Sequence, residues 1–513
     1  MIAHFDTRGV HGVLSRLDEP CYIVRSEGRI GAAHEPPPTA QLLAAAGPVA
    51  PERLAPSGFA ARHGVRYPYM AGSMAGGIST EELVLALARA GHLASFGAAG
   101  LPPTRIEKAV RRLGAELPGG AWAANLIHSP MAPGAERDTV DIYLRHGVRC
   151  VEASAFVQPT LDLVRYRVAG FQSDPRIGAA RPTNRVIAKV SRAETAEIFL
   201  RPPPPGLIAD LAADGHITAD QARWAGQTPL ADDITVEADS AGHTDRRPLL
   251  AVLPLVMRLR DRLAPAVGVG AAGGISTPHS AYAAFALGAS YIVTGSVNQS
   301  CVEAGTSPAV KELLAQVGIA DFAMAPAADM FEMGVDVQVL KRGTMFPGRA
   351  TWLYRLYRDH EGLEELSSRD RERLESQVLH GSVERTWDAV SEYLAEHRPD
   401  QLDRAVGDPK LRMALLFRWY LGLSSRWATD GDPARATDYQ IWCGPAMGAF
   451  NAWTAESYLA VPAQRRVAEV ADQLLRGAAY QSRISLLRLA GARLPPSCEE
   501  YRPLPDNGAL PQP

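Results

Sequence analysis

Polar side chains and glycines follow most of the short apolar runs between residues 66 and 296, where strands would end. These candidates are Gly72, Ser73, Met74, Asn125, His128, Glu152, Ser154, Lys189, Asp239, Gly242, His243, Gly273, Gly274, Gly295 and Ser296. The carboxyl ends of parallel strands in a closed barrel converge on one rim, so we expect these positions to share one cavity. Histidine, lysine and amide side chains around a cavity are typical of sites that move protons and stabilise developing charge.

Glycines follow the seventh and eighth of these runs. Gly273 and Gly274 come after one run, and Gly295 and Ser296 come after the next. A glycine at a strand end lets backbone N–H groups approach a phosphate closely. Tight turns with positive φ are the alternative interpretation of either pair alone, and their joint placement favours a phosphate. No G-x-G-x-x-G at dinucleotide spacing follows a strand, which favours a mononucleotide cofactor.

The elements that position these residues alternate between strand-type runs and helical patterns, which is typical of parallel βα units. Eight strands are predicted at residues 66–72, 93–98, 122–127, 150–156, 185–190, 234–239, 266–272 and 291–296. Eight consecutive βα repeats favour an α/β fold of the closed (β/α)8 type, the TIM barrel, over a doubly wound sheet.

Composition changes along the chain predict four segments. A Pro/Ala-rich N-terminal extension, expected to wrap the surface, covers residues 1–57, and the barrel covers residues 58–350 with a rim insertion near 200–230. Charged amphipathic patterns predict a helical C-terminal domain over residues 351–495. The tail, residues 496–513, is predicted to be disordered.

Charge and cysteine content narrow the classes of function. The 513 residues carry a formal net charge of -3, which gives no reason to expect nucleic acid or an anionic membrane as a partner. Five scattered cysteines without a C-x-x-C pair argue against a disulfide framework, a zinc site or an iron–sulfur cluster. No secretory signal or membrane-spanning run is visible, so a cytoplasmic location is expected.

Several long motifs carry a family resemblance over about residues 57–495. They are "NLIHSP", "AKVSR", "DDITVEADSAGHTDRRPL", "GAAGGISTP", "VTGSVNQ", "QVLKRGTMFPGRA" and "DYQIWCGPAMGAFN". In these the chain resembles the PfaD family, trans-acting FMN-dependent enoyl reductases of polyketide and polyunsaturated fatty acid synthases. The barrel is also similar to FabK-type enoyl reductases and nitronate monooxygenases, whose acidic-x-Gly-Gly-His segment supplies an active-site histidine. Here that segment reads Asp239-Ser240-Ala241-Gly242-His243, with alanine in place of one glycine.

The resemblance implies a reaction in which hydride passes from NADPH or NADH through FMN to the β-carbon of an α,β-unsaturated acyl thioester. His243 is then the candidate that polarises the thioester carbonyl or donates a proton, and His128 is a second candidate in the same cavity. Lys189 would face the pyrimidine edge of the flavin, with a salt bridge to Glu152 or Asp239 as the alternative role.

The remaining candidates would bind the cofactor. Asn125 would hydrogen-bond the flavin ring, and the backbone amides of Gly72, Ser73 and Met74 would bind it from the other face. Asp239 and Gly242 belong to the matched loop. The phosphate would lie at Gly273, Gly274, Gly295 and Ser296.

The resemblance also implies an acyl carrier protein as partner. Carrier proteins are acidic, so a basic docking patch is expected, and the available residues are Arg371, Arg385, Lys410 and Arg412. Solvation of a helix surface is the alternative role of such scattered basic residues. Two other functions stay open at this point. One is a nitronate monooxygenase-type flavin oxidase, and the other is a catalytically inactive synthase assembly factor.

Overall fold

A computed structural model describes residues 3–129, 134–174 and 179–503. The chain divides into two units. Unit 1 comprises Met1–Asp239, Thr244–Gly305 and Ala449–Pro513, and unit 2 comprises Ser240–His243 and Thr306–Gly448. Among the described helices, none combines the length and the apolar character needed to cross a membrane.

The N-terminal part of unit 1 is a folded layer and not the surface lead-in that the sequence predicted. Its elements are α1 Thr7–Ser15, β1 Cys21–Ser26, β2 Arg29–Ala33, β3 Gln41–Ala46 and α2 Gly58–His63. The three strands form an antiparallel sheet in the order β2-β1-β3. Buried apolar side chains of α1 and this sheet pack against the last helix of the chain. Composition alone did not reveal that these short runs have a partner.

Eight parallel strands close a barrel in the order β10-β11-β12-β13-β4-β5-β6-β7. Their bounds are β4 Tyr69–Ala71, β5 Leu93–Phe96, β6 Ala123–Ile127, β7 Cys150–Ser154, β10 Arg185–Val190, β11 Asp233–Glu237, β12 Gly268–Ala272 and β13 Ile292–Thr294. Each of the eight predicted runs overlaps one of these strands, so the predicted (β/α)8 fold class is confirmed. The sequence did not predict a further antiparallel pair of strands, β8 Phe171–Asp174 and β9 Ala179–Pro182.

Helices surround the barrel. They are α3 Glu81–Arg89, α4 Pro103–Glu116, α5 Ala135–Arg145, α6 Leu161–Ala169, α7 Ala193–Phe199, α8 Pro205–Ala213, α9 Ala219–Ala225, α10 Leu249–Leu263, α11 Pro278–Ala286 and the short α12 Ser296–Gln299. Threonine side chains cap α3, α6 and α11 by accepting backbone N–H groups of the first turn. The predicted rim insertion near 200–230 corresponds to α8 and α9.

The barrel strands are nearly continuous apolar runs because both of their faces are covered. Strands β5, β7 and β12 are buried at every position. Gly270 in β12 faces the ring of Tyr291, and an added Cβ would lie 2.3 Å from Tyr291 Cζ. Only glycine therefore fits at this point of the barrel wall.

Unit 2 has its own core. Its elements are α13 Pro308–Ala315, β14 Phe322–Pro326, β15 Asp336–Leu340, α14 Phe346–Asp359, α15 Ser368–Arg373, α16 Val383–His397, α17 Pro399–Val406 and α18 Pro409–Asp430. Strands β14 and β15 form an antiparallel hairpin. Buried residues of β15, α14 and α18, including Phe346, Leu353 and Phe417, pack in one cluster.

The division into units does not follow the boundaries predicted from the sequence. The change from unit 1 to unit 2 falls after Gly305 and not at residue 350, and the chain returns to unit 1 at Ala449, within α19 Pro445–Thr454. The last helix, α20 Val467–Leu489, belongs to unit 1. Cys498 and Tyr501 of the predicted disordered tail are buried against it, whereas residues 504–513 lie outside the described residues.

Candidate active site

The candidate residues of unit 1 gather at the carboxyl ends of the barrel strands. Gly72 and Ser73 follow β4, Lys189 lies near the end of β10, and the glycine pairs follow β12 and β13, which is a neighbour of β4. Gly242 and His243 belong to unit 2 and are described with its residues.

Two short segments, Gly273-Gly274 after β12 and Gly295-Ser296 after β13, have backbone N–H groups without acceptors and empty space beside their glycines. Ala272 pairs with Val293 in the ladder, so Gly274 and Gly295 each lie two residues beyond a paired position. A Cβ added to either glycine would meet no atom within 4 Å. Within the described residues, the N–H groups of Gly274, Gly295 and Ser296 have no hydrogen-bond acceptor. Open N–H groups beside empty space fit a bound anion such as a phosphate.

The segment after β4 uses its backbone N–H groups within the protein. Gly72 donates its N–H to Thr294 O (3.0 Å), Ser73 donates to Glu152 Oε2 (2.8 Å), and Met74 donates to Ser79 Oγ (2.9 Å). These three N–H groups therefore already have acceptors within the chain, and the contact of Gly72, Ser73 and Met74 with a flavin ring stays a prediction. The backbone N–H groups of this segment donate to acceptors within the protein. A ligand could therefore contact the segment only through its carbonyl groups or its side chains.

Lys189 forms an ion pair at the end of β10, with a partner that the sequence did not indicate. Its Nζ lies 3.2 Å from Glu237 Oε2, whereas the alternative salt-bridge role of Lys189 named Glu152 or Asp239 as the partner. Burial alone would lower the pKa of Lys189, but the charges of Glu237 and Glu152 raise it above its ordinary value. The amine therefore remains a cation at neutral pH.

Asn125 is buried in β6 with its amide nitrogen already bonded. Nδ2 donates to Glu152 O (3.1 Å) and to Ser154 Oγ (3.0 Å). Both amide hydrogens are thus used within the barrel. The side-chain oxygen is the atom that Asn125 can present to a ligand.

His128 follows β6 and is held by a carboxylate. Its Nδ1 lies 3.1 Å from Glu136 Oε2, and its ring lies 5.4 Å from that of Phe156. Glu136 also accepts a hydrogen bond from Thr160. These contacts are those of a fixed, partly exposed histidine, and the neighbouring residues 130–133 lie outside the described part of the chain.

The loop after β11 contains the motif segment. Asp239 is exposed, and its backbone N–H donates to Arg247 O (3.2 Å). Its carbonyl explains Gly273, because a Cβ there would lie 2.9 Å from Asp239 O and φ at Gly273 is 89°. Gly242 donates its N–H to Ser240 Oγ (3.3 Å).

In unit 2, His243 contacts two residues that sequence reasoning did not connect with it. Its Nε2 lies 3.0 Å from Asp329 Oδ2, and the edge of its ring meets the Trp442 ring at a centroid distance of 5.6 Å. Trp442 belongs to the "DYQIWCGPAMGAFN" motif, which offered a signal. Asp329 offered none, because it is 86 residues from His243.

Most of the basic residues expected to form a docking patch have acidic partners within unit 2. Arg371 pairs with Glu384 and Glu375, Arg412 with Glu364 (3.5 Å) and Lys410 with Glu361 (3.9 Å). Lys410 also donates to backbone carbonyls. Three of the four charges are therefore balanced, which contradicts a free basic patch at these residues.

The cysteines and acidic residues offer no metal centre in the described part of the chain. All five cysteines are free and buried. Over residues 3–129, 134–174 and 179–503, no group of three or more His, Cys, Asp and Glu residues is arranged to hold a metal ion.

Two segments match described families. Residues 2–47 match the N-terminal domain of fatty acid synthase subunit PfaD, and residues 360–439 match the inserted helical domain of acyl-carrier-protein S-malonyltransferase. The second match falls within unit 2.

Longer similarities extend over most of the chain. It is 46% identical over 443 residues to one of the subunits of the polyunsaturated fatty acid synthase of Thraustochytrium sp., a match that covers 84% of this chain and 30% of that protein. It is 42% identical over 431 residues to polyketide biosynthesis protein PksE of Bacillus subtilis, which covers 83% of this chain and 56% of that protein. The chain thus spans only part of the length of both relatives.

One solved structure aligns with this chain over nearly the whole length of the solved domain. The crystal structure of the enoyl reductase domain of MlnA, from the macrolactin biosynthesis cluster of Bacillus amyloliquefaciens, aligns with a TM-score of 0.80 and 38% identity. The alignment covers 85% of this chain and 98% of that domain.

Proposed function

Since the chain belongs to the PfaD family, we propose that it is an FMN-dependent enoyl reductase that acts on α,β-unsaturated acyl thioesters. The reaction adds two hydrogens across the double bond, as a hydride at the β-carbon and a proton at the α-carbon. Bound FMN would supply the hydride chemistry, with NADPH or NADH as donor. The relatives of the chain include polyketide and polyunsaturated fatty acid synthase proteins, so a carrier-tethered acyl chain is the proposed substrate and an acyl carrier protein the proposed partner.

The observation that carries this proposal is the open cradle after β12 and β13. N–H groups of Gly274, Gly295 and Ser296 that lack acceptors among the described residues face empty space, which fits the phosphate of FMN. Gly273 allows the close approach of the Asp239 loop beside this cradle. A cofactor without a phosphate would leave these N–H groups unused.

The side chains near the cradle suit the isoalloxazine ring. The Asn125 oxygen would accept a hydrogen bond from it, and the Lys189 cation would stabilise negative charge on the reduced ring. Gly72, Ser73 and Met74 would line the ring through contacts other than their N–H groups, which are already bonded.

His243 is the proposed proton donor or carbonyl-polarising group, in the matched loop with Asp239 and Gly242. An imidazole ring can both donate and accept a proton through its two nitrogens, which suits either role. His128, held by Glu136, is the second candidate for contact with the substrate.

Absorbance and turnover test the proposal together. The protein, reconstituted with FMN, is expected to be yellow, to bleach with NADPH under anaerobic conditions and to regain its colour on addition of a crotonyl thioester. NADPH consumption should equal formation of the saturated thioester. The proposal fails if carrier-tethered, CoA and N-acetylcysteamine forms all leave NADPH unchanged. Oxygen uptake with an alkyl nitronate would instead support an oxidase.

A further inference from the structure

Two consecutive arginines lie on the loop after β11, at the carboxyl end of the barrel in unit 1. Arg246 and Arg247 are both exposed. Within the described residues, neither guanidinium forms an ion pair or a hydrogen bond. The first turn of the helix that follows, α10, contains no acidic residue. Two cationic groups are therefore available to an anionic ligand at this rim.

The carboxylate next to these arginines is already paired. Asp245 accepts hydrogen bonds from Arg192 Nε (2.8 Å) and from Ser191 Oγ (2.6 Å). The hydrogen bond with Arg192 lowers the pKa of Asp245 below its usual value, and the charge of Arg247 acts in the same direction. Asp239 is the other acidic residue of the loop, so three arginines face two aspartates and one positive charge is in excess.

The arginine pair lies close to the cradle that is proposed for the FMN phosphate. Strand β11 is the neighbour of β12, and the Asp239 N–H donates to Arg247 O (3.2 Å). The carbonyl of Asp239 in turn lies against Gly273, where an added Cβ would be 2.9 Å from it. Substrates enter a barrel of this type across its carboxyl rim, so a ligand on its way to the cavity passes this loop.

The backbone at Arg246 adopts a conformation that residues with a side chain rarely take. Its φ is 53°, and its N–H donates to Thr244 Oγ1 (3.1 Å), which holds the turn. Non-glycine residues in this region are uncommon and are concentrated at functional sites. A glycine would form the same turn without strain, whereas the arginine keeps a cation at the rim.

A phosphate monoester is the anion that best matches two neighbouring guanidinium groups. Arginine binds phosphate oxygens through paired N–H groups, and a monoester carries nearly two negative charges at neutral pH. NADPH differs from NADH by one such group, on the 2′-oxygen of the adenosine ribose, and a nearby arginine commonly accommodates it. In the proposed reaction the nicotinamide must reach the flavin inside the barrel, so the adenosine end extends outward across the rim.

We propose that Arg246 and Arg247 bind the 2′-phosphate of NADPH and so select NADPH over NADH as the hydride donor. This inference rests on the proposed reductase function and names the donor for it. The two arginines contribute to binding and take no part in the chemical step. Their removal should therefore raise KM for NADPH and leave kcat unchanged.

Steady-state kinetics with both donors test the site. In the double variant Arg246→Gln, Arg247→Gln, we expect KM for NADPH to rise about 10- to 100-fold, because each hydrogen bond to a charged group contributes about tenfold in affinity. KM for NADH should stay within about twofold. The control is the double variant Arg258→Gln, Arg262→Gln, which removes two exposed arginines from α10 and should behave as the wild type.

Two kinetic outcomes would overturn the inference. An equal rise in KM for NADPH and NADH would assign the arginines to the diphosphate that both donors share. A rise in KM for a crotonyl-CoA substrate, absent with the N-acetylcysteamine form and with NADPH, would assign them to a phosphate of the acyl substrate.

Calorimetric titration gives a readout that needs no turnover. The FMN-loaded wild type should bind adenosine 2′,5′-bisphosphate at least about tenfold more tightly than 5′-AMP, and the Arg246→Gln, Arg247→Gln variant should lose this preference. Equal Kd values for the two nucleotides in the wild type would overturn the inference and leave the reductase function intact. A preference that the double variant abolishes, in a protein without reductase turnover, would support the phosphate site and refute the reductase function alone.

Discussion

Gly295 contributes a backbone N–H group and an empty volume, and these define the proposed phosphate site. Its φ of -132° lies outside the left-handed region, unlike that of Gly274 at 74°. A substitution at Gly295 therefore avoids the left-handed strain that a substitution at Gly274 would add.

Gly295→Asp should release FMN. A carboxylate placed about 4 Å from a phosphate costs about 4 kcal/mol near a protein surface, so the Kd for FMN should rise about 100-fold or more. Fluorescence titration of free FMN measures this change. Gly348→Asp, at another open position in α14 of unit 2, is the control and should bind as the wild type. Unchanged affinity in Gly295→Asp would place the phosphate elsewhere.

His243→Ala should retain FMN and lose turnover. Removal of a general acid lowers kcat by about 10²- to 10⁴-fold, whereas the cradle lies at other residues. Absorbance at the flavin band and NADPH oxidation report the two properties separately. The control is His279→Ala on the exposed face of α11. A colourless His243→Ala protein would show instead that this histidine has a structural role.

At the scale of elements, α20 joins the N-terminal layer through one buried arginine. Arg483 is fully buried and donates to five backbone carbonyls, those of Leu14, Arg16, Leu17, Glu19 and Gly47. Backbone carbonyls at the end of α1, in the α1–β1 connection and just after β3 thus receive their hydrogen bonds from a side chain that is far away in sequence.

Arg483→Met should destabilise the protein strongly. Each buried carbonyl left without a donor costs about 1–3 kcal/mol, so we expect the free energy of unfolding to fall by at least about 3 kcal/mol. Urea unfolding of the FMN-free protein measures it. Arg488→Met, on the same helix but 61% exposed, should change stability by no more than about 0.5 kcal/mol. Equal effects of both changes would contradict the buried role of Arg483.

At the scale of the whole molecule, the chain divides into two units, and the described residues of each unit have their own buried apolar clusters. The barrel and the N-terminal layer are in unit 1, and the β14–β15 hairpin with α13–α18 is in unit 2. Five of the eight tryptophans lie in unit 2, namely Trp352, Trp387, Trp419, Trp427 and Trp442. Tryptophan fluorescence therefore reports mainly on unit 2.

Scanning calorimetry should resolve two unfolding transitions, and FMN should raise only that of unit 1. A ligand at 100 times its Kd stabilises the state that binds it by about 2.7 kcal/mol, and the cradle residues all belong to unit 1. The transition followed by tryptophan fluorescence should move little. A single transition that shifts as a whole with FMN would show that the two cores unfold together.

The sequence by itself determined the eight barrel strands and the fold class. The eight strands were predicted because each is a short apolar run bounded by turn residues. A strand that is buried on both faces has this pattern in its own residues. The two glycine pairs were found in the same way. The phosphate role of those pairs stays a prediction, as do the roles of Lys189 and His243.

Only the tertiary structure decided which groups meet. Ser73 has its N–H occupied by Glu152, Lys189 pairs with Glu237, and Arg483 reaches Leu14 across 469 residues. The sequence did not predict the packing of the N-terminal layer or the ion pairs of unit 2, because these contacts also join residues that are distant in sequence. Periodicity and turn chemistry are local properties of a chain, whereas a hydrogen bond or an ion pair depends on distances that exist only after the chain has folded.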